Sequence, residues 1–320
     1  MTFAGSPERV EARLVPEAGF ELDTFRVVGF PRRPGIALAR ALALAARATR
    51  EAGRILARRR PHAVLGAGGF VAGPVVVAAW RRRIPAALTE ADAHLGLANR
   101  LAAPFARRIF LAYELPGHDG AKYRVTGRPI PARSRVVPRP EARRRFDLPA
   151  DGPVLAVFGA LAGARRLNEL AVEAFGAGGP AVLHLSGERD FESLRRRISR
   201  PDYRLLPSTE DFGAALGAAD LVLARAGGSV WEVAAAGKPA VLVPYPHATA
   251  DHQLLNARHF ERGGGAVVVP ETEIDRAPGV VRELLADPDR RERMGAAMRE
   301  LARPDAADEI AEELVALARA

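Results

Sequence analysis

The chain has 320 residues, a formal net charge of +9 and no cysteine. That length suits two domains of ordinary size with a sizeable core in each, and the missing cysteine excludes disulfides and thiolate metal sites. Hydrophobic residues make up 48% and aromatics only 6%, with abundant Ala, Gly and Arg, which favours an α/β protein over an all-β one. The charge admits nucleic acid, an anionic membrane surface or a phosphorylated substrate as partner. No nucleic-acid motif is present and few aromatics are available to stack on bases, so nucleic acid is set aside. Only Lys122 and Lys238 are lysines among the 47 basic residues, a skew that reads as coding bias. No apolar run spans a bilayer and no signal peptide opens the chain, which predicts a cytoplasmic protein, at the membrane surface if anywhere on a membrane.

In chain order, Thr2–Ala4 reads as the tail of a strand and Pro7–Leu14 as a helix capped by Ser6. Ile36–Arg60 has helical periodicity, with Leu38, Leu42, Ala45, Ala46, Thr49, Gly53 and Leu56 on one side and arginines on the other. "HAVLGAGGF" (62–70) is a strand ending in a glycine turn, "VAGPVVVAAWRRR" a helix, and "IPAALTEAD" a strand and loop. "LGLANRLAAPFARRIFLAY" reads helix then strand, and "YRVTGRPIP" strand then exit. Pro129–Pro140 holds four prolines and several arginines, a linker composition that marks the domain boundary. The pattern then restarts: strands at "PVLAVFG", "AVLHLSG", "YRLLPST", "LVLA", "PAVLVPYP" and Ala266–Pro270 alternate with helices or glycine loops, and helices fill the remainder. Strands alternating with helices, twice over, predict two Rossmann-like parallel-sheet domains facing a cleft. The predicted divisions are 1–131, 132–304, and a C-terminal helix 305–320 packing back on the first domain.

Three strand–glycine–helix junctions stand out: "GAGGF" (66–70), "FGALAGARR" (158–166) and "LVLARAGGSVWE" (221–232). Free N–H groups at a helix start suit phosphate. Gly227 and Gly228 let a ligand approach the backbone, Ser229 can cap the helix or reach an anion, and Glu232 lies one turn in, placed to accept from a ribose diol. Taken alone, the glycines need do no more than make the turn. Three such junctions at the carboxyl ends of parallel strands predict a pyrophosphate-bearing ligand between the domains. Lys238 lies outside any glycine loop, so a Walker NTPase does not fit, and "GALAGA" is not a clean dinucleotide fingerprint.

"VLGAGGFVAGP", "LTEADAHLGLANRLAAPFA", "YRVTGRPI", "VLAVFGALAGARRLNEL" and "RAGGSVWEVAAAGKPAVLVPYPHATADHQLLNARHF" occur in that order and spacing. Together they resemble the MurG family over nearly the whole chain, and the C-terminal motif is the most specific part. The resemblance implies the GT-B glycosyltransferase fold. It implies inverting transfer of N-acetylglucosamine from UDP-GlcNAc to undecaprenyl-pyrophosphoryl-MurNAc-pentapeptide, a step of peptidoglycan synthesis on which cell shape and division depend. No cofactor or metal is implied, and the location is the cytoplasmic face of the bacterial membrane. On the donor side the matched positions are Gly159, Gly163, Arg165, Gly227, Gly228, Ser229, Glu232 for the ribose, His252 and Gln253 for the sugar hydroxyls, and Asn256. On the acceptor side they are Gly68, Gly69, Phe70, Asn99 and Arg128, with Glu90 and Asp92 as catalytic candidates. The basic Ile36–Arg60 helix, with Trp80 beside Arg81–Arg83, then reads as a dock for an anionic membrane.

The chain departs from the family pattern. The opening strand and "GGTGGH" loop are not matched, so the chain reads as starting late, after the first βα unit, and is expected to be less stable and inactive. If that histidine is absent, Asp92 and His94 become candidates for the base. "HEQN" reads "TEAD", "GGSxGA" reads "GALAGA" with Leu161 at the serine, and "VTGNPVR" reads "VTGRPIP", moving positive charge to Arg128. The alternatives are a GT-B transferase using a UDP- or dTDP-sugar on another acceptor, and a catalytically dead nucleotide-sugar-binding homologue.

Overall fold

A computed structural model describes residues 1–28, 35–159 and 164–319. The chain forms two units, Met1–Gly127 with Asp305–Ala320, and Arg128–Pro304.

Among its described residues the first unit holds six short strands, β1 (Phe3–Gly5), β2 (Leu22–Thr24), β3 (Val64–Gly66), β4 (Ala86–Glu90), β5 (Arg108–Leu111) and β6 (Tyr123–Val125). β1 and β2 pair with each other, and β3–β6 form a four-stranded sheet in sequence order. Every pairing is parallel. The core lies where the Ile36–Arg59 and Gly69–Arg81 helices pack over β3–β5, through Ala52, Leu56, Val76, Ala79, Leu88 and Ile109. Gly66 is required there, because a Cβ would stand 2.8 Å from Leu88 Cδ2 and 3.1 Å from Val76 Cγ2.

Two local expectations are corrected. The first helix runs Glu11–Glu17, not Pro7–Leu14, and Ser6 is not its cap. Ser6 instead donates its N–H to Glu11 Oε1 and accepts from Glu8 N, which makes a turn ahead of the helix. In the Ile36–Arg59 helix the buried stripe is Ala41, Ala48, Ala52 and Leu56, whereas Leu42 is 54% exposed. Small residues on the inner face let two helices approach closely, so the alanines turn inward and Leu42 is left in solvent. The helix is tied at its end by Arg58 and Arg59, which hold Asp23 on β2 at 2.5 and 2.8 Å.

The Ala306–Arg319 helix returns to this unit. Ile310 packs on Ala87 and Phe110 of the four-stranded sheet, and Glu313 pairs with Arg108 at 3.2 Å and with Arg124.

The second unit is one parallel six-stranded sheet of β7 (Val154–Phe158), β8 (Ala181–Leu185), β9 (Tyr203–Leu206), β10 (Leu221–Ala224), β11 (Ala240–Leu242) and β12 (Ala266–Val268). Its order is β12-β11-β10-β7-β8-β9. The chain builds outward from β7 to β9, returns to the other side of β7, and builds outward again. The order therefore reverses between β7 and β10, the topological switch point at which parallel α/β sheets bind ligands. β7 and β10 are fully buried and read as unbroken apolar runs, as strands covered on both faces must. Two helices without a clear apolar signal, Arg139–Arg145 and Glu188–Arg195, complete the layers. Arg143, 1% exposed, is held by Asp220 at 2.7 Å and by the carbonyls of Pro149 and Ala150.

Candidate functional site

At the switch point three loops leave neighbouring strand ends. β7 runs into Gly159, β10 into Arg225–Ser229, and β11 into Pro244–Asp251. Register places Ala224 opposite both Phe158 and Leu242, so the loops start side by side. Gly163 of the first loop lies outside the described residues. The Val230–Ala235 helix that follows the second loop has only six residues. Its dipole is correspondingly small, and any anion there is met by individual N–H groups. Ser229 occupies the N-cap position without a side-chain cap bond. Its backbone is already helical (φ −63°, ψ −12°), whereas a side-chain cap needs an extended backbone.

Buried polar groups brace these loops. Arg225, 6% exposed, donates to the Val243 carbonyl at 3.1 Å, pairs with Glu271, and lies 5.7 Å over the Tyr245 ring. Asn256, fully buried, donates to the Ala226 carbonyl at 3.3 Å. Gln253 accepts from Tyr245 N at 2.9 Å. Just before it, Ala250 and Asp251 have φ of 52° and 51°. Left-handed backbone at a non-glycine costs about 1 kcal/mol or more, and here it turns His252 and Gln253 onto the start of the His252–Arg262 helix. Glu232 accepts a hydrogen bond from Ser134. Arg128, placed on the acceptor side by the sequence reading, lies in the second unit with its guanidinium against Gly228. A Cβ at Gly228 would stand 2.0 Å from Arg128 Nη1. No carboxylate among the described residues pairs with Arg128.

Arg165 opens the Arg165–Phe175 helix and is mostly exposed, 3.5 Å from the buried carboxylate of Asp190. Asp190 is the outer end of a network that no motif marks. Asn168 donates to Asp190 at 3.0 Å and to the Ser186 carbonyl at 2.8 Å. Its Oδ1 lies 3.0 Å from His184 Nε2, and His184 Nδ1 lies 2.8 Å from the Tyr203 hydroxyl. Because the Asn168 amide nitrogen is committed as a donor, its oxygen must accept. His184 therefore carries its proton on Nε2 and accepts from Tyr203. Burial pushes the His184 imidazole down to about 3. Hydrogen bonds from Arg189 hold the Asp190 carboxyl below the usual range.

In the first unit, Gly68 and Gly69 have φ of 88° and 67°, which favours glycine, and lead into the 13-residue Gly69–Arg81 helix. That helix is long enough to aim a dipole at an anion. Phe70 packs toward Phe25, Val27 and Ala48, with Arg9 5.2 Å from its ring centre. The Glu90 carboxylate is saturated. Oε1 accepts from Ala91 N (3.0 Å) and Asp92 N (3.3 Å), and Oε2 from Gly96 N (2.8 Å) and Asn99 Nδ2 (2.9 Å). Asn99 also donates to the Thr89 carbonyl at 2.9 Å. Glu90 and Asn99 thus shape the 91–96 loop that carries Asp92 and His94.

Known proteins share this pattern. The profile of the glycosyltransferase family 28 N-terminal domain matches residues 2–111, and that of the family 28 C-terminal domain matches residues 154–310. Two parallel-sheet α/β units matched by these two domain families make the chain a GT-B glycosyltransferase. A UDP-N-acetylglucosamine--N-acetylmuramyl-(pentapeptide) pyrophosphoryl-undecaprenol N-acetylglucosamine transferase of Rubrobacter xylanophilus is 40% identical over 326 residues, covering 100% of this chain and 96% of the relative. One of the same name from Acidithiobacillus ferrooxidans is 40% identical over 97% of this chain and 88% of its own length. The crystal structure of Acinetobacter baumannii MurG superimposes with a TM-score of 0.78 at 26% identity, covering 98% of this chain and 90% of that one. The chain belongs to the MurG family.

The buried histidine makes stability depend on pH. Unfolded His184 binds a proton near the ordinary value of 6.5, and folded His184 does not until about 3. Below 6.5 the unfolded state therefore holds more protons, and stability falls as pH drops, by up to about 1.4 kcal/mol per pH unit. His184→Gln flattens a denaturant-monitored stability profile between about pH 6.5 and 4. An unchanged slope in that variant contradicts the assignment.

Proposed function

We propose that the chain transfers N-acetylglucosamine from UDP-GlcNAc to an undecaprenyl-pyrophosphoryl-MurNAc-pentapeptide acceptor, inverting the anomeric carbon, as a step of peptidoglycan synthesis. The observation that carries this reading is the full-length likeness to transferases of that name, in a chain whose second unit gathers the donor motifs at one switch point.

In this reading the second unit holds the donor. Glu232 accepts from the ribose hydroxyls. The backbone of Gly159 and of Gly227–Ser229 lies along the pyrophosphate, with Arg165 supplying charge and Arg128 joining it from beside Gly228. His252 and Gln253 read the sugar hydroxyls, and Asn256 holds their helix against the 226–229 loop. The first unit takes the acceptor, with its pyrophosphate at Gly68 and Gly69 ahead of the Gly69–Arg81 helix. The acceptor hydroxyl attacks C1, the bond from C1 to the β-phosphate oxygen breaks, and the hydroxyl proton passes to a base. Glu90, with both oxygens already accepting, organises the loop, and Asp92 on that loop is the better candidate for the base. Negative charge building on departing UDP is met by N–H groups and arginines fixed beforehand, so no metal or cofactor is required.

The lipid part of the acceptor supports a place at the cytoplasmic face of the membrane. An apolar cavity of about 140 Å³ lies in the first unit, lined by Val27, Val28, Phe70, Pro74, Val77 and Leu101. On the helices that line it, Leu42, Trp80, Leu97 and Leu101 are 53–55% exposed. Arg40, Arg47, Arg50 and Arg54 stand on the exposed side of the Ile36–Arg59 helix. Among the described residues no helix is long and apolar enough to cross a membrane, so attachment would be peripheral.

Incubation with labelled UDP-GlcNAc and lipid-linked MurNAc-pentapeptide is expected to move label into the lipid. Glu232→Ala is expected to raise the KM for UDP-GlcNAc by about tenfold or more. Label that stays with the nucleotide under conditions where UDP-GlcNAc binds would reject the acceptor assignment. Vesicles containing anionic lipid are expected to sediment the protein at low salt and release it at high salt. Binding that ignores lipid charge or salt would reject the docking face.

A further inference from the structure

Glu232 has a partner that no motif marks. Ser134 lies 98 residues earlier, in the short turn Ala132–Ser134 at the start of the second unit. It is 5% exposed, and its hydroxyl donates to Glu232 Oε1. Hydroxyl-to-carboxylate bonds are charge-assisted and among the stronger ones available to a serine.

The serine is not free to drift, because its backbone is seated on the Phe212–Ala218 helix by two glycines. A Cβ at Gly213 would stand 2.0 Å from the Arg135 carbonyl oxygen and 3.0 Å from the Ser134 carbonyl carbon. A Cβ at Gly217 would stand 2.2 Å from the Val137 carbonyl oxygen. Val137 N donates to the Gly213 carbonyl at 3.5 Å, and Ser134 N donates to the Pro131 carbonyl at 2.9 Å. Only a helix surface bare of side chains admits the 134–137 backbone at this distance. At the other end of the same stretch, Arg128 rests on Gly228. Residues 128 and 134 thus touch residues 228 and 232, so this segment runs along the donor loop and reaches its carboxylate.

A carboxylate on a glutamate stem can rotate through several orientations. Fixing one oxygen with a donor whose own backbone is immobile leaves the other oxygen in a defined place, which is the preorganisation that binding a vicinal diol needs. We propose that Ser134 is a positioning residue of the donor site. Its hydroxyl fixes Oε1 of Glu232 so that Oε2 receives the ribose hydroxyls of a uridine nucleotide. The proposal rests on the reading of Glu232 given above and deepens it. Ribose recognition then depends on the segment that opens the second unit as well as on the glycine loop.

The test compares binding of UDP and of 2′,3′-dideoxy-UDP by calorimetry, in the full chain and in Ser134→Ala, Ser134→Thr and Glu232→Ala. Thermal melts confirm that each variant is folded. The readout is the affinity ratio of the two nucleotides, which a merely structural role for Ser134 would not move. Ser134→Ala is expected to lower UDP affinity about fivefold to tenfold and to shrink the ratio by a similar factor. Ser134→Thr, which keeps the hydroxyl, is expected to restore both, and Glu232→Ala to bring the ratio close to one. A ratio unchanged in Ser134→Ala but lost in Glu232→Ala overturns the role of Ser134 and leaves that of Glu232. A ratio unchanged in Glu232→Ala removes the ribose reading itself. Tighter UDP binding by Ser134→Ala would mean that the serine hydroxyl occupies the ribose's place, and also overturns the proposal.

Discussion

The second unit depends on the parallel pairing of β7 with β10. These strands are remote in sequence, yet Leu221–Ala224 lies in register against Leu155–Phe158 at the centre of the sheet. Adjacent strands lie only about 4.8 Å apart. Their carboxyl ends therefore deliver two glycine-containing loops to one place, with the β11 loop beside them. Arg225 N donates to the Phe158 carbonyl at 3.3 Å and Val243 N to the Ala224 carbonyl at 2.8 Å, so the ladder continues to the base of the loops. An apolar sheet below and the backbone of Gly227–Ser229 above is an arrangement that can hold a pyrophosphate.

Side chains then keep that backbone in place. Arg225 ties the β10 loop to the β11 loop and to Glu271, and Asn256 ties it to the next helix. The Tyr203–His184–Asn168–Asp190 chain runs from the sheet interior to Arg165, and Asp190 also engages Arg189. Such networks rigidify a core only when their members are satisfied. The neutral, Nε2-protonated histidine provides the required match of donor and acceptor. In the first unit Glu90 and Asn99 do the corresponding work for the 91–96 loop, through hydrogen bonds to both oxygens of one carboxylate.

Much of the fold was legible because its strands are short apolar runs closed by glycine or proline, and that brevity and those flanking residues separate them from buried helix segments. The family was legible for a different reason, namely that long motifs recur in a fixed order. What stayed hidden shares a physical cause. Helical periodicity groups Leu42 with the apolar side, but close helix packing selects Ala41, Ala48 and Ala52. The Arg139–Arg145 helix begins at the end of the Pro129–Pro140 stretch, whose prolines and arginines read as linker. Ser134, Asn168 and Asp190 matter only through partners brought near by folding, and neither periodicity nor composition carries that information. The glycine loops at the switch point could thus be found from sequence, while the groups that hold them could not.

On the proposed reading the second unit is a ready-made UDP-GlcNAc site. Titration calorimetry of UDP-GlcNAc into the protein, repeated with Glu232→Ala and with UDP-glucose as competitor, tests it most directly. Saturable binding with a stoichiometry near one is expected, weakened by about tenfold or more in the variant and poorly displaced by UDP-glucose. A folded protein that takes up no UDP-GlcNAc, or one whose affinity ignores Glu232, would contradict it.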